Sequence, residues 1–338
     1  MTIQMTSAAK LALPDASRLL IARPDRVGDV IISTSCLASL RRAFPRGEIY
    51  FLAAERMRPL LDGHPDLTGY ISDPLHIASI KPDAIVHLHP DEECYLAAHN
   101  AEVPVRIGYR HKSLSKHLTH SLEDRRTEGL KHEAAYNFDL FQLIGVSEPA
   151  RLEPNVHLPE SALGSLRTKL PWPLESTRFA VLNPSAHSPV ARWPIEYYVR
   201  LADKLQREYG LLPVFIGANS DDGVPALPSR FLNLAGKTDL GELGWLLKHA
   251  RVLVSRDTGP SHLAAAVGCP VVVIFGRTAP IYGPTRWRPL TEKAVIVAKS
   301  VPRKRWESRE KHWRRSFAAI HVDEVAAAVR QALTTWEK

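Results

Sequence analysis

The sequence predicts an α/β protein of two domains, each with a mainly parallel sheet, facing each other across a cleft. Three observations carry this. Short β-branched runs alternate with helical segments over Arg18–Tyr109, and the alternation restarts at Phe179. Between the two series lies Ser147–Glu160 (SEPARLEPNVHLPE), which has three prolines and few large apolar residues, the composition of a linker. Several strand exits carry Gly, Asp, Thr and Pro, residues that end a strand and open a helix where open α/β sheets place their ligands.

In the first half, Arg18–Arg23 reads as a buried strand, followed by the loop Pro24-Asp25-Arg26-Val27-Gly28-Asp29 and a helix from Val30 through Phe44. Leu37, Leu40 and Phe44 share one face of that helix. The loop holds one glycine, whereas a dinucleotide fingerprint needs three to pass a pyrophosphate, which argues against a nicotinamide enzyme. Asp29 sits at the helix entrance, either complementing the helix dipole or acting on a ligand. Strands follow at Glu48–Ala53, Asp83–Leu88 and Val105–Tyr109, with helices at Arg56–Asp62 and Asp91–Asn100. His87 and His89 are two apart at a strand end and are expected on one face; with no third ligand nearby, they point to substrate contact rather than a metal.

The second half reads as strands at Phe179–Asn183, Leu212–Ile216, Phe231–Leu234, Val252–Val254 and Val271–Phe275. Helices fall at Pro194–Tyr209, Leu240–His249 and Ser261–Val267. Val322–Lys338 forms a last helix with Val325, Val329 and Leu333 on one face. The turn Ser255–Pro260 joins a buried strand to a small-residue helix that must be packed rather than solvated. Thr258 or Asp257 suits the cap, and the N–H groups of Thr258 and Gly259 would form an anion site, with His262 one turn further on. The plainer alternative is an αβ crossover with a buried histidine. The turn Pro184–Pro194 offers Ser185, His187 and Arg192 at another helix entrance, where a guanidinium suits a diphosphate, or else forms ordinary surface turn chemistry.

Composition narrows the classes. The chain has 338 residues and a formal net charge of +8, which invites an anionic partner. No apolar run is long enough to span a membrane, and the first residues lack the apolar core of a secretory signal, so the cytoplasm is the expected compartment. Cys36, Cys94 and Cys269 are far apart and make neither a disulfide framework nor a metal spacing. Basic stretches at Arg106–His120 and Arg303–Arg315, the latter interleaved with Trp, lack a nucleic-acid module signature. They suit an anionic lipid or sugar phosphate better, or are simply solvated surface.

Three blocks in order, RPDRVGDVIISTSCLASLRRAFP, NPSAHSPVARWP and VSRDTGPSHLAAAVGCPVVVIFGRTAPIYGP, resemble glycosyltransferase family 9, the heptosyltransferases of bacterial lipopolysaccharide synthesis. The resemblance implies a GT-B architecture of two Rossmann-like domains. It assigns residues 1–150 to the acceptor, 151–320 to a nucleotide sugar, and 321–338 to a helix crossing back to the first domain. It further implies inverting transfer without metal or other cofactor, with ADP-heptose as donor and a lipopolysaccharide-type or other glycan as acceptor. Carried over, Asp29 is the general base, and Asp257, Thr258, Gly259 and His262 bind donor with Ser185, His187 and Arg192. Arg26, His89, Arg110 and Lys112 are the acceptor candidates. The family commonly places a Lys two positions before the Trp-Pro pair, where this chain has Ala191, and the family's usual C-terminal cysteines are absent from Ala298–Phe317. Two other readings therefore stand beside ADP-heptose transfer: a relative using another nucleotide sugar, and a non-catalytic nucleotide-sugar or glycolipid binder. Retention of Asp29 speaks against the last. A lipid-linked acceptor implies peripheral contact with the inner face of the cytoplasmic membrane and no nucleic-acid partner.

Overall fold

The computed structural model describes residues 3–4, 11–147, 149, 151–185, 192–218 and 227–336. It divides into two compact units, Met1–His157 and Leu158–Lys338, with the break inside the proline-rich stretch.

The first unit contains strands β1 (Ile3–Gln4), β2 (Arg18–Ala22), β3 (Glu48–Leu52), β4 (Gly69–Ile71), β5 (Ala84–His87), β6 (Val105–Tyr109) and β7 (His120–Leu122). They form one sheet in the order β1-β7-β6-β5-β2-β3-β4, and every neighbouring pair is parallel. The second unit contains β8 (Phe179–Asn183), β9 (Leu212–Phe215), β10 (Leu232–Asn233), β11 (Val252–Arg256), β12 (Val271–Phe275) and β13 (Ala294–Ala298). Their order is β10-β9-β8-β11-β12-β13, again all parallel. Apart from the added β1, both sheets have the doubly wound order of dinucleotide-type folds, reversing between β2 and β5 and between β8 and β11. Strands covered on both faces read as unbroken apolar runs, which is why RLLIA, FAVLN and VVVIF are nearly or wholly buried. The chain is thus α/β of the GT-B class, two Rossmann-like units.

Helix boundaries depart from the sequence expectation at informative places. The helix after β2 starts at Val27 and is not continuous: α1 (Val27–Ser33) passes through a 3₁₀ turn (Thr34–Cys36) into α2 (Leu37–Ala43). Hydroxyls cause the change of pitch. Ser33 donates to the Asp29 carbonyl at 2.8 Å, Thr34 to that of Ile31 at 2.7 Å and Ser35 to that of Ile32 at 2.7 Å. The sequence reading also missed α4 (Glu133–Phe141), named after α3 (Glu92–Asn100), and α5 (Glu160–Lys169). In the second unit, α6 (Ile195–Tyr209), α7 (Leu240–His249) and α8 (Gly259–Ala266) are followed by the basic stretch, whose Arg309–Ala318 is a helix, α9. The last helix, α10 (Val322–Trp336), packs Val325, Val329 and Leu333 into the core of the second unit, against β11–β13 and α6. Among the described residues no helix is long and apolar enough to cross a membrane.

Two contacts fix the end of α9 and its junction with α10 near the carboxyl edge of the second sheet. Trp193, 1% exposed, donates its indole N–H to the Ile320 carbonyl at 2.8 Å. Phe317 lies against Gly276, just past β12, so closely that a Cβ there would stand 2.5 Å from the ring. Because Phe317 is buried and hemmed in, Gly276→Ala should cost about 1–3 kcal/mol. Urea unfolding of the variant beside wild type measures this, and equal midpoints would show that the ring can yield.

Candidate active site

In the first unit, the order reversal brings the exits of β2 and β5 together, and a buried charge cluster fills the junction. Arg23, the residue after β2, is 2% exposed. Its Nε donates to Asp25 Oδ1 at 2.7 Å, its Nη2 to Asp29 Oδ1 at 2.5 Å, and its Nη1 to the Leu88 carbonyl beyond β5 at 2.9 Å. Glu133, opening α4, is fully buried and approaches Arg23 at 3.3 Å. Arg126 closes the far side, donating to the same Leu88 carbonyl at 3.1 Å and to Asp124 Oδ2 at 2.6 Å. Burial alone would lower the Arg23 pKa; the charges of Asp29, Asp25 and Glu133 outweigh it and raise the value. The guanidinium therefore stays charged and holds Asp29, 8% exposed in the first turn of α1, in one orientation.

Of the other first-unit candidates, His89 reaches the edge of this cluster and the rest lie around it. His89 sits 3.7 Å from Asp25; burial lowers its pKa and the Asp25 charge opposes that. Arg26 is the exposed residue before α1, and Arg110 and Lys112 are exposed just past β6, on the same carboxyl edge of the sheet. Among the described residues none of these three is ion-paired to the Arg23 cluster. The expected common face of His87 and His89 does not form, because β5 ends at His87. His87 is buried against Tyr95, ring centroids 4.4 Å apart, and burial followed by the Arg106 charge depresses its pKa to about 3. It is a neutral core residue. Arg23, Arg126 and Glu133 escaped the sequence reading. The available signal was a charged residue ending an otherwise apolar strand.

In the second unit, the corresponding junction lies between β8 and β11. Asn183 Nδ2 donates to Ser255 Oγ at 3.0 Å and to Thr258 Oγ1 at 3.1 Å, and these hydroxyls are 2.9 Å apart. Thr258 occupies the cap position of α8 in extended backbone geometry, but its hydroxyl belongs to this network. Gly259, which has no side chain, and Pro260, which has no N–H, then open α8, and the Ser261 N–H bonds back to the Thr258 carbonyl at 3.0 Å. His262 is 3% exposed, with Nε2 3.4 Å from Asp257 Oδ1. Ser185 takes part through its hydroxyl, which accepts from the Ala218 N–H at 3.0 Å, and its N–H, which donates to Asn183 Oδ1 at 3.3 Å. Arg192 stands next to the Trp193 anchor at the entrance of α6. His187 and Ala191 lie outside the described residues. The strand β11 is two residues longer than expected, because Ser255 and Arg256 pair with Val273 and Ile274. Asn183, which sequence reasoning missed, opens the NPSAHSPVARWP block. Among the described residues no group of three or more His, Cys, Asp or Glu side chains is arranged to hold a metal ion.

Comparison with known proteins gives this pair of sites a context. The family model described as glycosyltransferase family 9 (heptosyltransferase) matches residues 96–314. The chain belongs to that family. It is a glycosyltransferase. Lipooligosaccharide heptosyltransferase 2 of Haemophilus ducreyi is 26% identical over 312 residues, covering 83% of this chain and 88% of the relative. Among solved structures, a family 9 glycosyltransferase from Veillonella parvula superposes with a TM-score of 0.79 at 20% identity, covering 95% of this chain and 98% of that one. The E. coli ADP-heptose lps heptosyltransferase II does so with 0.78 at 22% identity, covering 95% and 100%. The family match excludes the nicotinamide alternative. It begins after the Gly28-Asp29 block.

The charge cluster of this glycosyltransferase has a measurable energetic consequence. Arg23→Met leaves Asp29 and Glu133 buried without their common cation, so unfolding free energy should fall by about 3–5 kcal/mol. Denaturant titration at neutral pH checks this; a loss below about 1 kcal/mol would mean that Arg126 alone holds the carboxylates.

Proposed function

We propose that the protein transfers a heptose from ADP-heptose to a lipopolysaccharide-type acceptor with inversion at the anomeric carbon. The Haemophilus ducreyi relative is a lipooligosaccharide heptosyltransferase, and the similar E. coli structure is an ADP-heptose lps heptosyltransferase. The observation that carries the reading is the pairing of two chemistries. One unit has an oriented carboxylate, Asp29, at a strand-order reversal; the other has hydroxyls and a helix start at the equivalent place.

In this reading Asp29 accepts the proton of an acceptor hydroxyl as its oxygen attacks the sugar C1. The C1–O bond to the diphosphate breaks, and ADP departs with the electron pair. Thr258, Gly259, Ser185, Arg192 and His187 would meet the diphosphate, and Asp257 with His262 would hold the donor. Arg26, His89, Arg110 and Lys112 would meet acceptor anions. Arg23 matters because a base acts only when held in place: the ion pair at 2.5 Å fixes the orientation of the carboxylate.

Asp29→Asn keeps the shape and removes the base. It should lower kcat about 10²–10⁴-fold while leaving ADP affinity within a few-fold, since the base acts in the transition state. Transfer assays with ADP-heptose and ADP calorimetry measure the two. Retained turnover with weakened ADP binding would remove Asp29 from this role.

The reading includes a membrane-bound acceptor, and one surface supports it. Trp306 is 90% exposed, with a backbone φ of +66° that a bulky residue rarely adopts. The loop is folded on buried Glu307, which accepts from the Lys304 N–H at 3.0 Å and pairs with Arg315 at 3.1 Å. That contact turns Trp306 outward between exposed Arg303, Lys304, Arg305 and Arg309. An amphipathic ring among cations suits the interface of an anionic bilayer, where each basic residue contributes about 1 kcal/mol. Cosedimentation should show binding to vesicles containing phosphatidylglycerol, little binding to phosphatidylcholine alone, and a several-fold loss in Trp306→Ala. Equal binding by that variant would take the loop out of the interface.

A further inference from the structure

The second unit contains a buried arginine that its surroundings do not satisfy. Arg256 ends β11 and is 4% exposed, yet its Nε and Nη1 have no hydrogen-bond partner among the described residues. Its guanidinium stands 5.2 Å from the ring centroid of Phe317, the ring for which Gly276 leaves room. A ring face attracts a cation but gives its in-plane N–H groups no acceptor.

Other charges act on it in both directions. Burial is the main influence and lowers the Arg256 pKa to about 10; Arg277 and Arg192 lower it too, against Asp257 and Tyr198. Arginine cannot resolve this by losing its proton at neutral pH. Three cations, from the turn before α6, the end of β11 and the loop after β12, thus act on one place at the carboxyl edge of the sheet. Arg277 is itself held between Tyr282 and Trp313, its guanidinium carbon 4.9 and 5.1 Å from the two ring centroids. The next residues, Asp257 and Thr258, lead directly into the first turn of α8.

We propose that Arg256, with Arg277, binds the diphosphate of the nucleotide-sugar donor, one phosphoryl group meeting these guanidiniums and the other the Gly259 N–H at the start of α8. The proposal rests on the donor reading above and adds two residues to it. A guanidinium suits this task, since its planar N–H pair matches two phosphate oxygens and its charge is permanent.

Calorimetric titration of the full chain with ADP and with inorganic pyrophosphate, together with thermal melting, tests the assignment. Arg256→Gln should weaken both ligands roughly 10- to 100-fold, the loss of a charge-assisted hydrogen bond in a buried site. Arg256→Lys should recover part of the affinity. Without ligand, Arg256→Gln should melt no lower than wild type, because it removes a charge that lacks a hydrogen-bonding anion. Unchanged ADP and pyrophosphate affinity with a lowered melting temperature would make Arg256 a structural residue; it would overturn the proposal and leave the donor reading intact. A wild-type chain that binds neither ligand would overturn both. Should Arg256→Gln fail to fold, Arg277→Gln decides by the same titrations: weakened binding of both ligands supports the pair, and unchanged binding removes it.

Discussion

Parallel pairing across the two order reversals, β2 with β5 and β8 with β11, is the constraint on which the rest of this structure depends. In a parallel sheet every strand leaves by the same edge, so all its exit loops gather there. At a reversal the flanking crossovers diverge to opposite faces, and the space between them is left for polar groups. Chemistry-bearing residues far apart in sequence meet for this reason alone. Arg23 reaches the Leu88 carbonyl across one reversal, and Asn183 reaches Ser255 and Thr258 across the other.

Two arginines with nearly equal burial show what each junction is built to do. Arg23 is 2% exposed and Arg256 4%. Around the first, carboxylates and a carbonyl take up the guanidinium N–H groups, so its charge is stabilised within the fold. Around the second, Arg277 and Arg192 oppose the charge, Asp257 and Tyr198 favour it, and two guanidinium nitrogens have no hydrogen-bond acceptor among the described residues. A closed cluster holds the Asp29 carboxylate in one orientation. An open one is suited to a ligand that brings its own negative charge, and that contrast agrees with the proposed division into a base and a donor site.

The C-terminal basic stretch divides by the same logic. Trp313 packs beside the core and Tyr282, where it supports Arg277, whereas Trp306 is turned into solvent. Phe317 reaches the sheet edge because Gly276 has no side chain, and Trp193 locks the start of α6 to the chain between α9 and α10. One segment therefore holds up the second junction from behind while presenting a cationic surface in front.

The alternation of apolar strands and helices, the proline-rich break and the strand-exit turns were legible in the chain, since local propensity, two-sided burial and turn chemistry act over a few residues. So were the positions of Asp29, Thr258 and Gly259 at helix starts. The 3₁₀ turn after α1 had a local signal in Ser33-Thr34-Ser35, but its effect depends on which carbonyls those hydroxyls reach. Strands β4, β7 and β13 are short or lie toward the margins of their sheets, where fewer neighbours impose an apolar pattern. Only the tertiary structure decided the partners of buried charge. No sequence pattern relates Arg23 to Glu133 or Arg256 to Arg277, because ion pairs and like-charge gatherings depend on distances set by strand order. The extension of β11 through Arg256 was settled in the same way, by the backbone partners that β12 supplies.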